Sequence, residues 1–468
     1  MNRLPFQFLF FCIPILLLIC TRTPAQDSSQ KLTESEQELI LKKTGELLKN
    51  NYVFLELGQA CANFLDEQNR FKHYSQITHP RAFAKQLSTD LKNIHHDQHI
   101  RVQTRTPADR RLVKDPNLNF FLHTHERIKE NLGFRQVRIL TGNVGYLDIR
   151  SFEPLELARE KALSVLQFLK DTDAMIIDLR ANIGGNPSTV QFLCSLFFDK
   201  PVHLNSIYWR REDYTEEFWT MDHIGIAKKP DIPIFILVSS KTFSAGEEMA
   251  YNLQVQNRAV LVGETTAGGA NPGYSFTINE RFSIFIPTGR SINPVTGTNW
   301  EGSGVKPDIQ VKASESLTVA AEKAVHAARI YREKSDDRLI LSLMSVSAQL
   351  DTLTLLYKNN KKSTIDSLAI KLLSDWAESD LINEWVINDL GYKYMSKNEI
   401  DVAFVLFQFN VIQYPHSFNV YDSLGEIYWK TGEKSAAIKN YTRSLILNPQ
   451  NFNAQRMIKL IEKDNQHN

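Results

Sequence analysis

The sequence predicts an α/β protein, a layered core of alternating strands and helices with an all-helical segment before it and another after it along the chain. Three observations carry this. Short apolar runs, Ala174-Met175-Ile176-Ile177-Asp178-Leu179 and Pro233-Ile234-Phe235-Ile236-Leu237-Val238, have the length and branching of buried central strands, and each leads through a polar loop into a helical pattern. Residues 33–105 space their apolar positions as helices do, with starts at Glu34-Ser35-Glu36 and Pro80-Arg81-Ala82. Near the C-terminus Leu390-Gly391, Tyr394, Ala403, Phe407 and Pro415 recur 34 residues later as Leu424-Gly425, Tyr428, Ala437, Tyr441 and Pro449, the mark of a stacked helical repeat.

Length and charge narrow the function classes. A chain of 468 residues has room for two or three domains, and its balance of 54 basic against 53 acidic residues suggests neither a nucleic-acid surface nor a polybasic membrane face. The N-terminus reads as a secretory signal over residues 1–25. Arg3 precedes an apolar run from Phe8 to Cys20, and Thr23-Pro24-Ala25 has the small residues of a cleavage site before Gln26. Pro14 and the shortness of the run argue against a stable membrane span after cleavage. A lipid anchor on Cys20 ranks second, because Leu18-Ile19 ahead of it lacks a small residue. The expected location is secreted or periplasmic. Cys61 and Cys194 remain in the mature chain, too few for a disulfide framework, and Cys194 sits in an apolar helical run.

In order, the chain divides into the signal (1–25), a helical cap (26–105), a catalytic α/β domain (106–334), a helical linker (335–385) and the repeats (386–468). The cap ends in His95-His96-Asp97-Gln98-His99, three histidines and an aspartate with no partner cluster at ligand spacing elsewhere, so no metal or other cofactor is expected. A polar stretch from Thr104 to Pro116 leads to alternating residues over Val137 to Phe152. In Asn182-Ile183-Gly184-Gly185-Asn186 the paired glycines allow close backbone approach to a ligand, with a plain tight turn as the other reading. Neither a dinucleotide fingerprint nor a phosphate-binding Gly-Lys-Ser/Thr is present. Residues 207–229, rich in aromatic and charged types without a clean period, read as a loop or flap. Tyr274–Ile278 and Arg281–Ile286 alternate about Asn279-Glu280 as a hairpin, and a helix is expected from Leu317 to Glu333.

Thr242-Phe243-Ser244-Ala245-Gly246-Glu247-Glu248 lies where a strand passes into a helix. A serine there is beside unpaired N–H groups and the positive end of the helix dipole, a place where an oxyanion is stabilised. Ser244 and Glu247 also have the Ser-x-x-Glu spacing of a capping box, so this stretch alone leaves nucleophile and cap both open.

Taken together, residues from about 33 to 312 resemble the serine peptidases related to tail-specific protease, the tricorn core and interphotoreceptor retinoid-binding protein. Asp97-Gln98-His99 looks like the family's Asp-Gly-His, Leu179-Arg180-Ala181-Asn182-Ile183-Gly184-Gly185 like its glycine loop, and Thr242-Phe243-Ser244-Ala245-Gly246-Glu247-Glu248 like its nucleophile motif. Val262-Gly263-Glu264-Thr265-Thr266-Ala267-Gly268-Gly269-Ala270 and Trp300-Glu301-Gly302-Ser303-Gly304-Val305 complete the order. The C-terminal repeats resemble tetratricopeptide repeats.

The resemblance implies a crotonase/ClpP-like layered core and hydrolysis of peptide bonds in peptides or unfolded proteins. By the same likeness Ser244 is the nucleophile, His99 the base, Glu301 its orienting or stabilising acid, directly or through another group, and Gly185 and Ala245 the backbone oxyanion donors. His96 is the alternative base. The tail-specific branch places a lysine base where Gly269 stands, so the histidine branch is implied, although Gln98 replaces the serine that precedes the histidine in the tricorn arrangement. An alternative on the same fold is a non-catalytic carrier of retinoid-like or lipid-like apolar ligands, its pocket lined by the aromatics between Tyr208 and Trp219. The repeats offer a docking surface for a protein partner.

Overall fold

The computed structural model describes residues 31–95, 97–105, 116–359, 362–378 and 381–466. The expected signal over 1–25, His96, and residues 106–115 of the polar stretch lie outside them. The chain forms two compact units, Met1–Arg332 and Glu333–Asn468.

In the first unit the chain begins with α1 (Glu34–Asn51), α2 (Leu55–Arg70), α3 (Pro80–His95), β1 (Arg101–Thr104) and α4 (Pro116–Lys129). The α/β segment follows as β2 (Phe134–Leu140), β3 (Val144–Ile149), α5 (Leu155–Phe168), β4 (Ala174–Asp178), α6 (Pro187–Ser195), β5 (His203–Trp209), β6 (Tyr214–Trp219), β7 (Ile234–Val238) and α7 (Ala245–Val255). It closes with β8 (Val260–Gly263), β9 (Gly273–Thr277), β10 (Phe282–Pro287), β11 (Gly289–Ile292), β12 (Ile309–Gln310) and α8 (Ser316–Asn359).

The main sheet has six strands in the order β12-β8-β7-β4-β3-β2, parallel except for β2 against β3. Alternate residues of each strand face opposite layers. Leu147, Ile149, Met175, Ile177, Ile234 and Ile236 pack with α5, α6 and α7, while Tyr146, Ile176, Phe235 and Leu237 pack against Ala320, Ala324 and Ala328 of α8. With both faces covered, the central strands β4 and β7 are apolar at all positions but Asp178, which is why they read as nearly unbroken runs.

The hairpin β9–β10 pairs through β10 with β1, and Phe282, Ile284 and Ile286 join the core of α1–α3. A late segment of the chain thus completes the N-terminal layer and ties it to the α/β segment. The stretch 207–229 differs from its expectation as a loop: β5 and β6 form an antiparallel hairpin, extended by β11. Its alternation is hidden because β5 buries four consecutive residues, Leu204 to Ile207, whereas β6 is mostly exposed.

The helix expected to stop at Glu333 runs on to Asn359 as a 44-residue α8, since neither glycine nor proline occurs between 334 and 359. By length and composition Ser316–Lys358 is apolar enough to cross a membrane, and its first turns lie packed on the sheet through the three alanines. The second unit is helical among its described residues: the end of α8, then α9 (Lys362–Glu378), α10 (Glu384–Ser396), α11 (Ile400–Gln413), α12 (Phe418–Lys430), α13 (Lys434–Leu447) and α14 (Phe452–Gln466). The repeated positions make the same contact twice. A Cβ on Gly391 would lie 2.5 Å from the Phe407 ring, and one on Gly425 3.1 Å from the Tyr441 ring, so glycine lets the paired helices close up.

Candidate active site

Three loops and one helix start meet beside the C-terminal ends of β4 and β7. Ser244 is the N-cap of α7, at φ 53° and ψ −123°, a left-handed conformation that turns its side chain away from the helix. Its hydroxyl makes no capping hydrogen bond. Glu247 supplies the other half of the expected box, with Oε2 accepting the Ser244 N–H at 2.9 Å.

His99 lies in the loop between α3 and β1, 145 positions earlier in the chain, and its Nε2 is 3.1 Å from Ser244 Oγ. The imidazole is held between the Phe243 and Phe285 rings, with centroids 4.4 and 5.9 Å away, and its side chain is only 8% exposed. Burial first, then the positive charges of Lys92 and Arg101, push its pKa down to about 3. A neutral imidazole with Nε2 toward a hydroxyl is equipped to accept a proton.

Glu301 enters on the loop after β11. Its Oε2 accepts the Ala270 N–H and, at 3.1 Å, the Asn271 N–H. The preceding Trp300 anchors the loop, being 2% exposed and donating its indole N–H to the Gly269 carbonyl at 2.9 Å. Glu301 Oε1 and His99 Nδ1 are both buried without a hydrogen-bond partner among the described residues. The carboxyl is therefore near the imidazole without bonding it. Burial, then Asp97, raise the Glu301 pKa well above the usual carboxylate range.

Asp97 is fully buried and is bonded by the Tyr52 hydroxyl (3.0 Å), the Asn271 side-chain amide (3.0 Å) and the His99 backbone N–H (2.9 Å). It fixes the His99 loop, while its Oδ1 stays 4.0 Å from His99 Nδ1. Single ligand atoms of Asp97, His99 and Glu301 lie within 4.8 Å of one another, close enough to consider a cation. Both Asp97 oxygens are already committed to these donors, so an ion there would compete with the contacts that hold the loop.

The glycine loop lies against the nucleophile. A Cβ on Gly184 (φ 94°) would fall 2.6 Å from Ser244 Cβ, and one on Gly185 (φ 140°) 2.0 Å from the Phe152 carbonyl oxygen, so only glycine fits either place. The Gly185 N–H and the Ala245 N–H, the first of α7, have no acceptor among the described residues. Asn182, fully buried, braces this loop by accepting the Gly184 N–H (2.8 Å) and donating to the Ile149 carbonyl (3.1 Å). The sequence-predicted Ser244, His99, Glu301, Gly185 and Ala245 thus come to one place, whereas His96 falls outside the described residues.

Glu247 does more than its cap spacing implied. Its carboxylate also accepts the Thr266 hydroxyl (2.5 Å) and the N–H groups of Gly268 (2.7 Å) and Gly269 (2.8 Å), joining the start of α7 to the next loop. Burial pushes its pKa up to about 7 against the pull of these donors. Gly269 has no room for a side chain: its Cβ would meet Phe243 at 2.2 Å and His99 at 2.8 Å. The histidine and its phenylalanine neighbour fill the space a lysine base would cross. Tyr52, Asn271 and Phe285 were not legible as site residues, since each reaches the site from a distant element. Asn182 lay within the glycine motif, where its polarity in a buried loop was the available signal.

Residues 143–311 match the model of peptidase family S41, and residues 31–128 match the N-terminal domain of Peptidase_S41 in eukaryotic IRBP. The chain is 28% identical over 174 residues to carboxyl-terminal-processing peptidase 1, chloroplastic, of Arabidopsis thaliana, covering 36% of this chain and 34% of that one. It is 24% identical over 198 residues to the carboxy-terminal processing protease CtpB of Bacillus subtilis, covering 42% and 39% respectively. The matched stretch therefore spans less than half the length of these curated relatives. Among solved structures, the photosystem II D1 C-terminal processing protease aligns with a TM-score of 0.39 at 13% identity, over 62% of this chain and 96% of that one.

Proposed function

We propose that this chain, which belongs to peptidase family S41 through residues 31–128 and 143–311, is a serine endopeptidase using Ser244, His99 and Glu301. The observation that carries the reading is the 3.1 Å approach of His99 Nε2 to Ser244 Oγ between two distant parts of the chain. Ser244 Oγ attacks the scissile carbonyl carbon and its proton passes to His99 Nε2. The oxyanion forms between the N–H groups of Gly185 and Ala245, each such donor contributing about 3 kcal/mol to the transition state. The tetrahedral species collapses, the C–N bond breaks, and the imidazolium returns the proton to the leaving amine. Water, deprotonated by the same imidazole, then releases the acyl group. Asp97, joined by Glu301 once it ionises, stabilises the transient imidazolium from the Nδ1 side through its field.

The finer parts of the reading are a crotonase/ClpP-like arrangement of the core, a secreted or periplasmic location, and peptides or unfolded protein tails as substrates. The helical pairs of the second unit act as tetratricopeptide-like repeats that hold a protein partner. The recurrence of the Gly391–Phe407 contact at Gly425–Tyr441 supports that last assignment.

A fluorophosphonate probe tests the nucleophile. The wild-type protein is expected to label at Ser244, with labelling lost in Ser244→Ala and strongly slowed in His99→Ala. Equal labelling of wild type and Ser244→Ala would remove Ser244 from the mechanism.

A further inference from the structure

Beside the loop that carries His99 the N-terminal layer has a groove of about 550 Å³ between α3 and β1, lined, among the described residues, by four cationic side chains and no acidic one. Arg81, Lys85 and Lys92 follow one face of α3 at spacings of four and seven residues, and Arg101 faces them from β1. The single acid of α3, Asp90, points elsewhere, where the Tyr74 hydroxyl and the Gln86 amide bond it at 2.8 and 2.9 Å. None of the four cations is ion-paired among the described residues. Like charges gathered in one concavity repel one another, and the half-buried Lys92 has its pKa lowered, by burial first and then by Arg101, against the opposing pull of Asp97. A carboxylate in the groove relieves that repulsion.

The floor of the groove says how an occupant is recognised. β1 is the edge strand of its sheet, but its outward backbone at Val102 is already taken. The Val102 N–H donates to Ser88 Oγ at 2.8 Å, and that hydroxyl is 3.2 Å from the Val102 carbonyl. Strand addition is closed there, which leaves side-chain charge as the recognition element. Among the described residues no aromatic side chain lines the groove, so they offer none of the stacking platforms that single-stranded nucleic acid uses. The groove also belongs to the site: Arg101 is two residues from His99, and Lys92 and Arg101 are the two charges felt at the imidazole.

We propose that the α3–β1 groove is a substrate subsite that binds the carboxylates of an acidic peptide segment leading to Ser244. This rests on the peptidase reading for the word substrate, and its test is arranged to stand apart from catalysis. Binding is measured by fluorescence anisotropy on full-length Ser244→Ala protein, with three labelled peptides of one length: a glutamate-rich amide, its glutamine counterpart, and that glutamine peptide as the free acid.

The expected result is at least tenfold tighter binding of the glutamate peptide than of the glutamine amide. The preference should collapse toward parity in Lys85→Glu/Arg101→Glu, fall at least threefold in the milder Lys85→Gln/Arg101→Gln, and weaken at about 0.5 M salt. A gain confined to the free acid over its amide assigns recognition to a chain terminus and overturns the proposal. Equal affinity for glutamate and glutamine peptides, or a glutamate preference that survives both substitutions, overturns the proposal, as does tighter binding of an oligonucleotide of about 20 nucleotides. Thermal melting of each variant confirms that it is folded. A peptidase without the groove preference would still label with fluorophosphonate yet fail here, and a groove without peptidase activity would do the reverse.

Discussion

Ser244 occupies a backbone conformation that costs about 1–3 kcal/mol for a residue with a side chain. Glu247 holds it there through the Ser244 N–H, and Phe243 and Gly184 close on either side. The proton chemistry follows from the environment of His99. With its pKa at about 3, the imidazole is already neutral above pH 4 and available as a base, so kcat/KM should lose little between pH 7 and pH 5, where an ordinary histidine base would be half protonated near 6.5. Glu301 works in the opposite sense. Pushed up to about 8, it is uncharged at neutrality and gains charge as the pH rises, strengthening the field on the imidazolium. A kcat/KM profile from pH 5 to 9.5 on a neutral peptide should therefore rise on its alkaline side in wild type and stay flat in Glu301→Gln; an unchanged rise in the variant would detach Glu301 from the base. Ser244, His99 and Glu301 were legible in the sequence because each stands in a short motif with its own glycines or aspartate. Tyr52 was not, since its bond to Asp97 depends on where the end of α1 arrives.

Loops carry the site at the level of elements, and buried carboxyls hold the loops together. Replacing Glu247 by Ala leaves the N–H groups of Ser244, Gly268 and Gly269 without their acceptor, at about 1–3 kcal/mol each. Glu247→Ala should lose at least about 3 kcal/mol in denaturant unfolding, well beyond the roughly 1 kcal/mol of a lost cap; a loss of cap size would mean that the link to the 266–269 loop is idle. From the sequence Glu247 reads as a cap, because the Ser-x-x-Glu spacing is satisfied by that role alone. Gly269 makes the complementary case. Gly269→Lys places a side chain into Phe243 and His99, so it should abolish fluorophosphonate labelling, and retained labelling would show that the lysine-branch geometry is still open to this chain.

At the scale of the whole molecule, the parallel sheet was readable because its central strands β4 and β7, covered on both faces, are almost wholly apolar, and the second unit because its glycines and aromatics recur with the period of a helical pair. The length of α8 was less so: the composition stays helical past Glu333, and with no glycine or proline before Asn359 the expected break there does not occur. Two compact units also make a thermodynamic prediction. Gly391→Leu forces a side chain into the Phe407 ring, so calorimetry should show one transition lowered by several degrees while Ser244 labels at the wild-type rate; a matched loss of labelling would mean that the units do not unfold separately. The central claim is that Ser244 and His99 act as one chemical unit. Its most direct test is kcat/KM for one peptide in Ser244→Ala, His99→Ala and the double variant. Each single change should cost about a thousandfold or more, and the double should be no worse than the worse single, whereas losses that multiply in the double variant would contradict it.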